Sequence, residues 1–502
     1  MSAEPASAEP ATAPKSAALL QRISREALSF SFWQGTGQLV LFATNILLAR
    51  LLSPGDFGLY DICGFFLMFG GLLGDAGLGA ALVRKPSDPT PEEYESVFVA
   101  NTLVGTTLSL GFAVATPLLV RAYKLDHLAV WVLLAMAPGY LLGALRSYPM
   151  IRLERSLKFG FIARLELALM FLRQISAATL ALLGAGVWAL VVANIATWFL
   201  HTVALLVLVP GLPKPRFHAR VFWPLLRFGL SVQGLGLLAF FKDNVSNTLL
   251  GVLAGTTSVG LFNFGLRYIQ IPVLAVNVMA RIQLPAYARL QTDPDGLFRA
   301  LQGVLRISFV LGVPFLLVLV TGASWLVPVI YSAKWAPSIP VAWAFAINMM
   351  GGLAASPLFS LLQARGEAGL ALWVFLGWTL GTWVLSAAAW FTGLSLEGIA
   401  AAHSVVTTVV VLALLARTGR VVGRSLFPAL AAPTLAGAVG LGVHLLLRRL
   451  PTAWADHVLV LLLPPFAAFV AVELALEGKR VLRELRSLRS STTGSPPEEQ
   501  QA

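Results

Sequence analysis

The sequence predicts an all-α polytopic membrane protein with about 14 transmembrane helices, arranged as two related six-helix bundles and two extra carboxyl-terminal helices. Hydrophobic residues make up 57% of the 502 residues and charged residues only 12%, whereas soluble domains carry about 25% charged residues. Apolar stretches long enough to cross a bilayer, which requires about 20 residues, recur from Leu28 to Leu476.

Each predicted span is an apolar run bounded by charge clusters or by Pro and Gly residues. The predicted spans are 27–50, 56–82, 95–120, 127–149, 160–183, 187–210, 222–254, 257–285, 301–331, 338–362, 369–391, 395–416, 426–447 and 455–476. An even number of spans places both termini on one side. Most of the 36 Lys and Arg residues then fall on the loops of that side, which the positive-inside rule identifies as the cytoplasm.

Similar short motifs recur in the two halves of the chain. Gln34–Gly37 reads QGTG and Gln233–Gly236 reads QGLG, so the halves keep register at a spacing of about 200 residues. The repeat predicts six segments of the chain: a disordered cytoplasmic tail (1–22), an amino-terminal six-helix bundle (23–210), a cytoplasmic linker (211–220), a carboxyl-terminal six-helix bundle (221–417), helices 13 and 14 (418–478), and a basic, then disordered, cytoplasmic tail (479–502).

Eight stretches in a fixed order resemble one known family. They are ARLLSPGDFGLYDI from Ala49, GLGAALVRK from Gly77, TPEEYESVF from Thr90, IRLERSLKFGFIARLE from Ile151, GAGVWALV from Gly184, GLFNFGLRYIQIP from Gly260, QLPAYARLQTDPDGLFRAL from Gln283 and YSAKWAPSIPV from Tyr331. On these stretches the chain resembles the oligosaccharide and polysaccharide flippases of Wzx type, in the multidrug/oligosaccharidyl-lipid/polysaccharide exporter superfamily.

The resemblance implies a transporter, not an enzyme, that moves a polyprenyl-pyrophosphate-linked oligosaccharide repeat unit across the bacterial inner membrane by alternating access. It implies a role in exopolysaccharide, capsule or O-antigen assembly, with a polymerase and chain-length or export proteins as possible partners. Family members usually carry an aspartate in the seventh span two residues after an asparagine. Here that position, after Asn244, is Ser246, and Asp243 is the candidate replacement.

Polar residues form stripes on four predicted spans. At about 100° per residue, polar side chains share one face of each helix. The stripes are Gln34, Gln38 and Asn45 in the first span, Glu166 and Arg173 in the fifth, Asp243, Asn244 and Asn247 in the seventh, and Asn263, Arg267 and Gln270 in the eighth, continued by Asn277 and Arg281. Lys242 points about 100° away from Asp243, so we expect these two neighbours not to pair with each other.

Lipid cannot solvate such stripes, because one Arg, Lys or Asp at a helix centre costs roughly 2.5–3.5 kcal/mol on insertion. We therefore expect the stripes to face a cavity between the bundles, where Arg173, Lys242 and Arg267 bind pyrophosphate or charged sugars through charge-assisted hydrogen bonds. The competing interpretation is that the polar residues only join helices. Asp61 and Asp75, in the second span, are expected to cap or anchor it.

Other function classes find little support in the sequence. It contains no GxxxxGK[ST], HExxH or CxxC motif, so no cofactor is predicted. Basic residues are dispersed over short loops, which disfavours nucleic-acid binding and indicates contact with membrane lipids. A drug/cation antiporter of the same superfamily and a membrane polysaccharide polymerase or glycosyltransferase remain the alternatives.

Overall fold

The computed structural model describes residue 37 and residues 40–277, 280–449 and 461–477. The predicted tails, 1–22 and 479–502, lie outside these residues. The chain divides into two compact units, residues 1–236 and 237–502. The helices of the first unit are α1 (Val40–Leu51), α2 (Pro54–Asp75), α3 (Leu78–Arg84), α4 (Pro91–Ala122), α5 (His127–Met136), α6 (Gly139–Arg155), α7 (Phe159–Leu182) and α8 (Trp188–Leu208).

Helix α9 (Ala219–Asp243) begins in the first unit and ends in the second. The second unit continues with a π-helical segment (Ser246–Leu250), α10 (Gly251–Leu253), α11 (Gly255–Asn277), α12 (Ala280–Arg289), α13 (Pro294–Leu326), a second π-helical segment (Val327–Tyr331), a 3₁₀ helix (Ala333–Ser338), α14 (Ile339–Ala364), α15 (Ala368–Phe391), α16 (Leu396–Val421), α17 (Pro428–Leu447) and α18 (461–477).

The prediction of an all-helical multi-pass membrane protein is confirmed for the described residues. Ten helical segments among these residues are long and apolar enough to cross a membrane, and in one of them, His127–Arg155, α5 is continued by α6. Fourteen spans and the internal repeat stay predictions. The predicted seventh span, 222–254, is not a single α-helix, because a π-helical segment follows α9. The predicted fourth span, 127–149, is divided into α5 and α6 at Pro138.

Two helix starts follow directly from the sequence. Ser53 accepts a hydrogen bond at Oγ from the Asp56 backbone N–H over 3.1 Å, and Asp56 accepts one from the Ser53 N–H over 2.9 Å. Thr90 and Glu93 form the same reciprocal capping box at the start of α4. Each cap is followed by a proline, whose missing N–H is not needed in the first turn of a helix. These caps set where α2 and α4 enter the first unit.

The core of the first unit holds α2, α5 and α8 together, with Cys63, Val132 and Val191 fully buried. Tyr140 of α6 packs against this core and donates a hydrogen bond over 2.7 Å to the backbone carbonyl of Phe66. That contact is possible only because residue 70 of α2 is a glycine: a Cβ there would collide with the Tyr140 ring.

We therefore expect Gly70→Ala to lower the thermal stability of the first unit. Forcing one methyl group into packed space costs about 1–3 kcal/mol, although alanine favours helix more than glycine does. The control is Gly111→Ala on α4, where an added Cβ meets no atom within 4 Å. Thermal unfolding of the purified protein checks this: equal midpoints for the two variants would contradict the packing argument.

A carboxylate in the second unit ties together the ends of α14, α15 and α16. Glu367 precedes α15, accepts a hydrogen bond from Arg365 Nε over 2.9 Å and forms an ion pair with Arg417 Nη2 over 2.7 Å. Burial acts to raise the pKa of Glu367, but the two arginines outweigh it and hold that pKa below its ordinary value. The ionised carboxylate is therefore the form that stabilises this junction.

A depressed carboxylate pKa contributes stability above the pKa of the unfolded chain, and this contribution disappears as the pH falls through the folded pKa. Glu367→Gln should therefore lower the unfolding midpoint near neutral pH. Its difference from wild type should shrink below about pH 4.3, the ordinary pKa of glutamate. Unfolding midpoints measured across pH check this, and Arg417→Gln should reproduce part of the change. A difference independent of pH would contradict it.

Candidate functional site

The first unit contains a partly open cavity of about 540 Å³, a size typical of small-molecule sites. Helices α2, α4, α5, α6, α7 and α8 all contribute to its lining. Seven of the lining residues are glycines: Gly64, Gly70, Gly71, Gly74, Gly105, Gly139 and Gly143. A second cavity of about 400 Å³ shares Asp75 and Ser147 with the first.

Two arginines line the first cavity. Arg173 of α7, one of the residues singled out from the sequence, is joined there by Arg146 of α6. Asp75 is the one carboxylate among the described lining residues, and Glu166 interacts electrostatically with Arg146. An arginine presents up to five N–H donors in a planar fork that matches phosphate and carboxylate oxygens. The arrangement can therefore bind an anion.

Sequence reasoning missed Arg146. This residue lies near the end of the predicted fourth span, 127–149, but was not counted among the polar stripes; it belongs to α6, which extends to Arg155, and it lines the cavity. It was not singled out because it stands close to the end of the apolar run, where charged residues are common. Only the neighbouring helices show that Arg146 and Arg173 line the same cavity.

Buried amides also line this cavity. Asn101 of α4 is 3% exposed and Asn194 of α8 is 4% exposed. Asn101 donates a hydrogen bond from Nδ2 to Ser147 Oγ over 3.1 Å, while its Oδ1 has no hydrogen-bond partner within the described part of the chain. Neither amide was singled out from the sequence.

In the second unit, the sequence prediction for Lys242 and Asp243 is wrong. Lys242 Nζ forms an ion pair with Asp243, and it also lies 4.8 Å from the centre of the Trp378 ring. The prediction compared only the directions in which the two side chains leave an ideal helix. The four-carbon stem of lysine is flexible enough to turn back, and α9 ends at Asp243, so ideal α-helical angles do not continue beyond it.

Helix α15 holds Trp378 beside the end of α9. Thr379 Oγ1 donates to the Leu238 carbonyl over 3.2 Å, and Trp383 Nε1 donates to the Phe241 carbonyl over 3.0 Å. The Lys242 side chain is 18% exposed and that of Asp243 is 64% exposed. Lys242 is thus a partly buried cation against an aromatic face, a favourable arrangement worth about 0.5–2 kcal/mol.

The amides of the seventh span join helices. Asn263 of α11 donates to Asn247 Oδ1 over 2.9 Å and accepts from Ser246 Oγ over 3.0 Å, and Asn247 donates to Asn244 Oδ1 over 2.9 Å. These bonds connect the π-helical segment to α11. A π-helical turn is rare and often occurs at functional sites. The hydrogen bonds of these amides thus join neighbouring helical segments.

The remaining predicted site residues have different environments. Arg267 is exposed and Gln270 is half-buried on α11, whereas Asn263 of the same stripe is buried. Asn45 is exposed on α1. Gln34 and Gln38 lie outside the described residues, as do the side chains of Asn277 and Arg281. Among the residues that the structure describes, no three His, Cys, Asp or Glu side chains form a metal-binding group.

A family model described as "Polysaccharide biosynthesis protein" matches residues 47–340, more than half of the chain. The chain belongs to this family. The match includes Arg146, Arg173 and Lys242 and ends before Trp378. The resemblance inferred from the eight sequence stretches is therefore confirmed, and these candidate site residues lie within the shared region.

The named relatives share low sequence identity with the chain, but the similarity covers two thirds or more of their length. The chain is 22% identical to the teichuronic acid biosynthesis protein TuaB of Bacillus subtilis over 77% of this chain and 78% of that protein. It is 24% identical to the succinoglycan biosynthesis transport protein ExoT of Rhizobium meliloti, over 66% and 67% of the two chains. Among solved structures, the lipid II flippase MurJ shares the fold, with a TM-score of 0.73, 15% identity, and coverage of 90% and 99%.

Proposed function

We propose that this family member is a flippase that moves polyprenyl-pyrophosphate-linked oligosaccharide repeat units across the bacterial inner membrane, for assembly of exopolysaccharide, capsule or O-antigen. One observation carries the proposal at the site: two arginines line a cavity inside a bundle of apolar helices. Relatives named for teichuronic acid biosynthesis and for succinoglycan transport, together with the fold shared with a lipid II flippase, support it.

The arginines make physical sense for such a substrate. Placing one arginine at the centre of a membrane helix costs at least about 2.5–3.5 kcal/mol, so two in one cavity require a compensating interaction. Glu166, which interacts electrostatically with Arg146, supplies part of it. A pyrophosphate offers several anionic oxygens, and the planar guanidinium group can bind two of them at once. We infer that Arg146 and Arg173 bind the pyrophosphate group.

The alternative of drug/cation antiport predicts a different cavity. A cationic drug would be attracted by carboxylates, whereas the charged residues in the described lining of the cavity are two arginines and one aspartate. That balance of charge favours an anionic substrate. The polymerase or glycosyltransferase alternative has no comparable observation in its favour.

We further propose that transport proceeds by alternating access. The helices contain the irregularities at which bending is usual: the π-helical segments Ser246–Leu250 and Val327–Tyr331, and the internal prolines of α11 and α13. Cytoplasmic termini, an inner-membrane location, and cooperation with a polymerase and with chain-length or export proteins belong to the same proposal. The excess of Lys and Arg on alternate loops supports the orientation.

Deleting the gene in its native host tests the function. We expect a lipid-linked oligosaccharide to accumulate on the cytoplasmic side of the membrane and surface polymer to be lost, with both reversed by the wild-type gene. A deletion strain with normal polymer and no accumulated intermediate would reject the flippase and favour antiport.

A point substitution in the second unit can be tested in the same deletion strain. Lys242→Glu is expected to restore polymer less well than wild type at equal membrane abundance, because it removes the cation beside Trp378.

A further inference from the structure

Part of the wall of the first-unit cavity is bare helix backbone. Gly64 and Gly71 of α2 and Gly143 of α6 line the cavity, and a Cβ added at any of them would meet no atom of the described residues within 4 Å. Glycine inside a helix costs roughly 0.5–1 kcal/mol relative to alanine. At these three positions, therefore, no contact with the described part of the chain explains the glycine.

Other glycines of the cavity are explained by packing. A Cβ at Gly70 would collide with Tyr140, one at Gly105 with Ala144, and one at Gly139 with Trp198. The cavity lining thus contains two kinds of glycine: those that let helices touch, and those that leave backbone open to the cavity. The second kind is what a ligand needs in order to approach a helix closely.

A buried acceptor in the same cavity is a second, independent sign of a ligand. Asn101 is 3% exposed, and its Oδ1 has no hydrogen-bond partner among the described residues. Leaving a buried acceptor unsatisfied costs about 1–3 kcal/mol. Asn101 donates from Nδ2 to Ser147 Oγ, so its orientation is held and its oxygen is left as the acceptor for a hydroxyl donor.

The remaining lining fits the chemistry of a sugar. Tyr60, Tyr140 and Trp198 offer aromatic surface, and Asn194 and Ser147 offer further hydrogen-bonding groups. A sugar ring presents hydroxyl groups around its edge and C–H groups on its faces, so it needs this combination of amides, a hydroxyl and aromatic rings. The two arginines of the same cavity can bind an anionic group next to the sugar.

We propose that the open glycine wall and Asn101 form a subsite for the sugar ring that adjoins the pyrophosphate of the lipid-linked substrate. The inference rests on the proposed function and assigns to each group of the cavity the part of the substrate that it contacts. The glycines at 64, 71 and 143 allow the ring to approach the backbone of α2 and α6, Asn101 accepts a hydrogen bond from a ring hydroxyl, and the arginines hold the phosphates.

The test fills the cavity and compares two lipid probes. Full-length protein in lipid nanodiscs carries Gly143→Leu, Gly71→Leu or Asn101→Ala. Gly111→Leu is the matched control, because this glycine also has open space around it but does not line the cavity. The probes are undecaprenyl pyrophosphate without sugar and the lipid-linked oligosaccharide extracted from the deletion strain. Binding is measured by native mass spectrometry, and folding by thermal unfolding.

Each leucine variant is expected to weaken binding of the sugar-bearing lipid at least about tenfold and binding of undecaprenyl pyrophosphate less than about twofold. Asn101→Ala should also weaken binding of the sugar-bearing lipid more than binding of undecaprenyl pyrophosphate, but by a smaller factor. Gly111→Leu should bind both probes as wild type does. Equal loss of both probes, or no loss of either, overturns the subsite.

Failure of the proposed function has a different signature. The deletion strain would then contain no lipid-linked oligosaccharide, or the wild-type protein would bind neither lipid, and the subsite would be rejected together with the flippase. Wild-type binding of both probes, combined with unselective cavity variants, rejects the sugar subsite alone.

Discussion

Arg173→Gln is expected to weaken binding of undecaprenyl pyrophosphate at least about tenfold, because hydrogen bonds to charged groups contribute about 1.5–3 kcal/mol each and tenfold corresponds to about 1.4 kcal/mol. Arg146→Gln should have a similar effect, since both guanidinium groups line the same cavity. Arg173→Lys should recover only part of the binding, because lysine keeps the charge but loses the planar fork. The same order of effects is expected for surface polymer in cells.

Arg164→Gln is the matched control for this prediction. Arg164 lies on α7 with Arg173, is exposed, and does not line the cavity. The Arg164→Gln substitution removes one positive charge from the same helix, so it measures the effect of net charge alone. Equal losses for Arg164→Gln and Arg173→Gln would show that general charge, and not the cavity, attracts the lipid.

The second large effect is expected for stability. Arg306 of α13 is 4% exposed and forms an ion pair with Glu477 of α18, and Glu473 on the same helix is 6% exposed. Arg306→Met would leave two carboxylates near each other without their cation. Removing one partner of a buried pair typically costs about 3–5 kcal/mol. We expect a large fall in the unfolding midpoint and in membrane abundance.

Two further variants separate charge from packing at this ion pair. Arg299→Met changes an exposed arginine of the same helix and should leave the midpoint nearly unchanged. The triple variant Arg306→Met, Glu473→Gln, Glu477→Gln should recover most of the lost stability, because no uncompensated charge then remains. If the triple variant is as unstable as Arg306→Met alone, the methionine side chain and not the charge is responsible.

Local sequence predicts the helices well and their irregularities poorly. Apolar runs identify the crossing helices, and the Ser53-Pro54 and Thr90-Pro91 pairs mark two helix starts, because capping depends on residues three positions apart. The π-helical segment at Ser246–Leu250 was not predicted. Such a segment changes the angle between side chains without changing hydropathy, so faces calculated at 100° per residue fail beyond Asp243.

The candidate site shows the same division. Arg173 was found from the sequence because a charged residue inside an apolar run is conspicuous. Arg146 was not, because it lies where the apolar run ends and only its neighbours on α2, α4 and α7 show that it faces a cavity. Gly70 and Gly71 are neighbouring glycines in the sequence, yet Gly70 packs against Tyr140 whereas Gly71 has open space where a Cβ would lie, among the described residues.

By itself, the sequence determined that this chain is a helical multi-pass membrane protein and a relative of polysaccharide flippases. Composition, hydropathy and ordered motifs are properties of the chain and need no folding to be read. Only the tertiary structure decided that Arg146 joins Arg173 and that Asn101 Oδ1 has no hydrogen-bond partner among the described residues. It also decided that Lys242 pairs with Asp243 and that Asn263 joins helices. These facts depend on distances between residues far apart in the chain or on departures from ideal helix geometry, and neither is written in a hydropathy pattern.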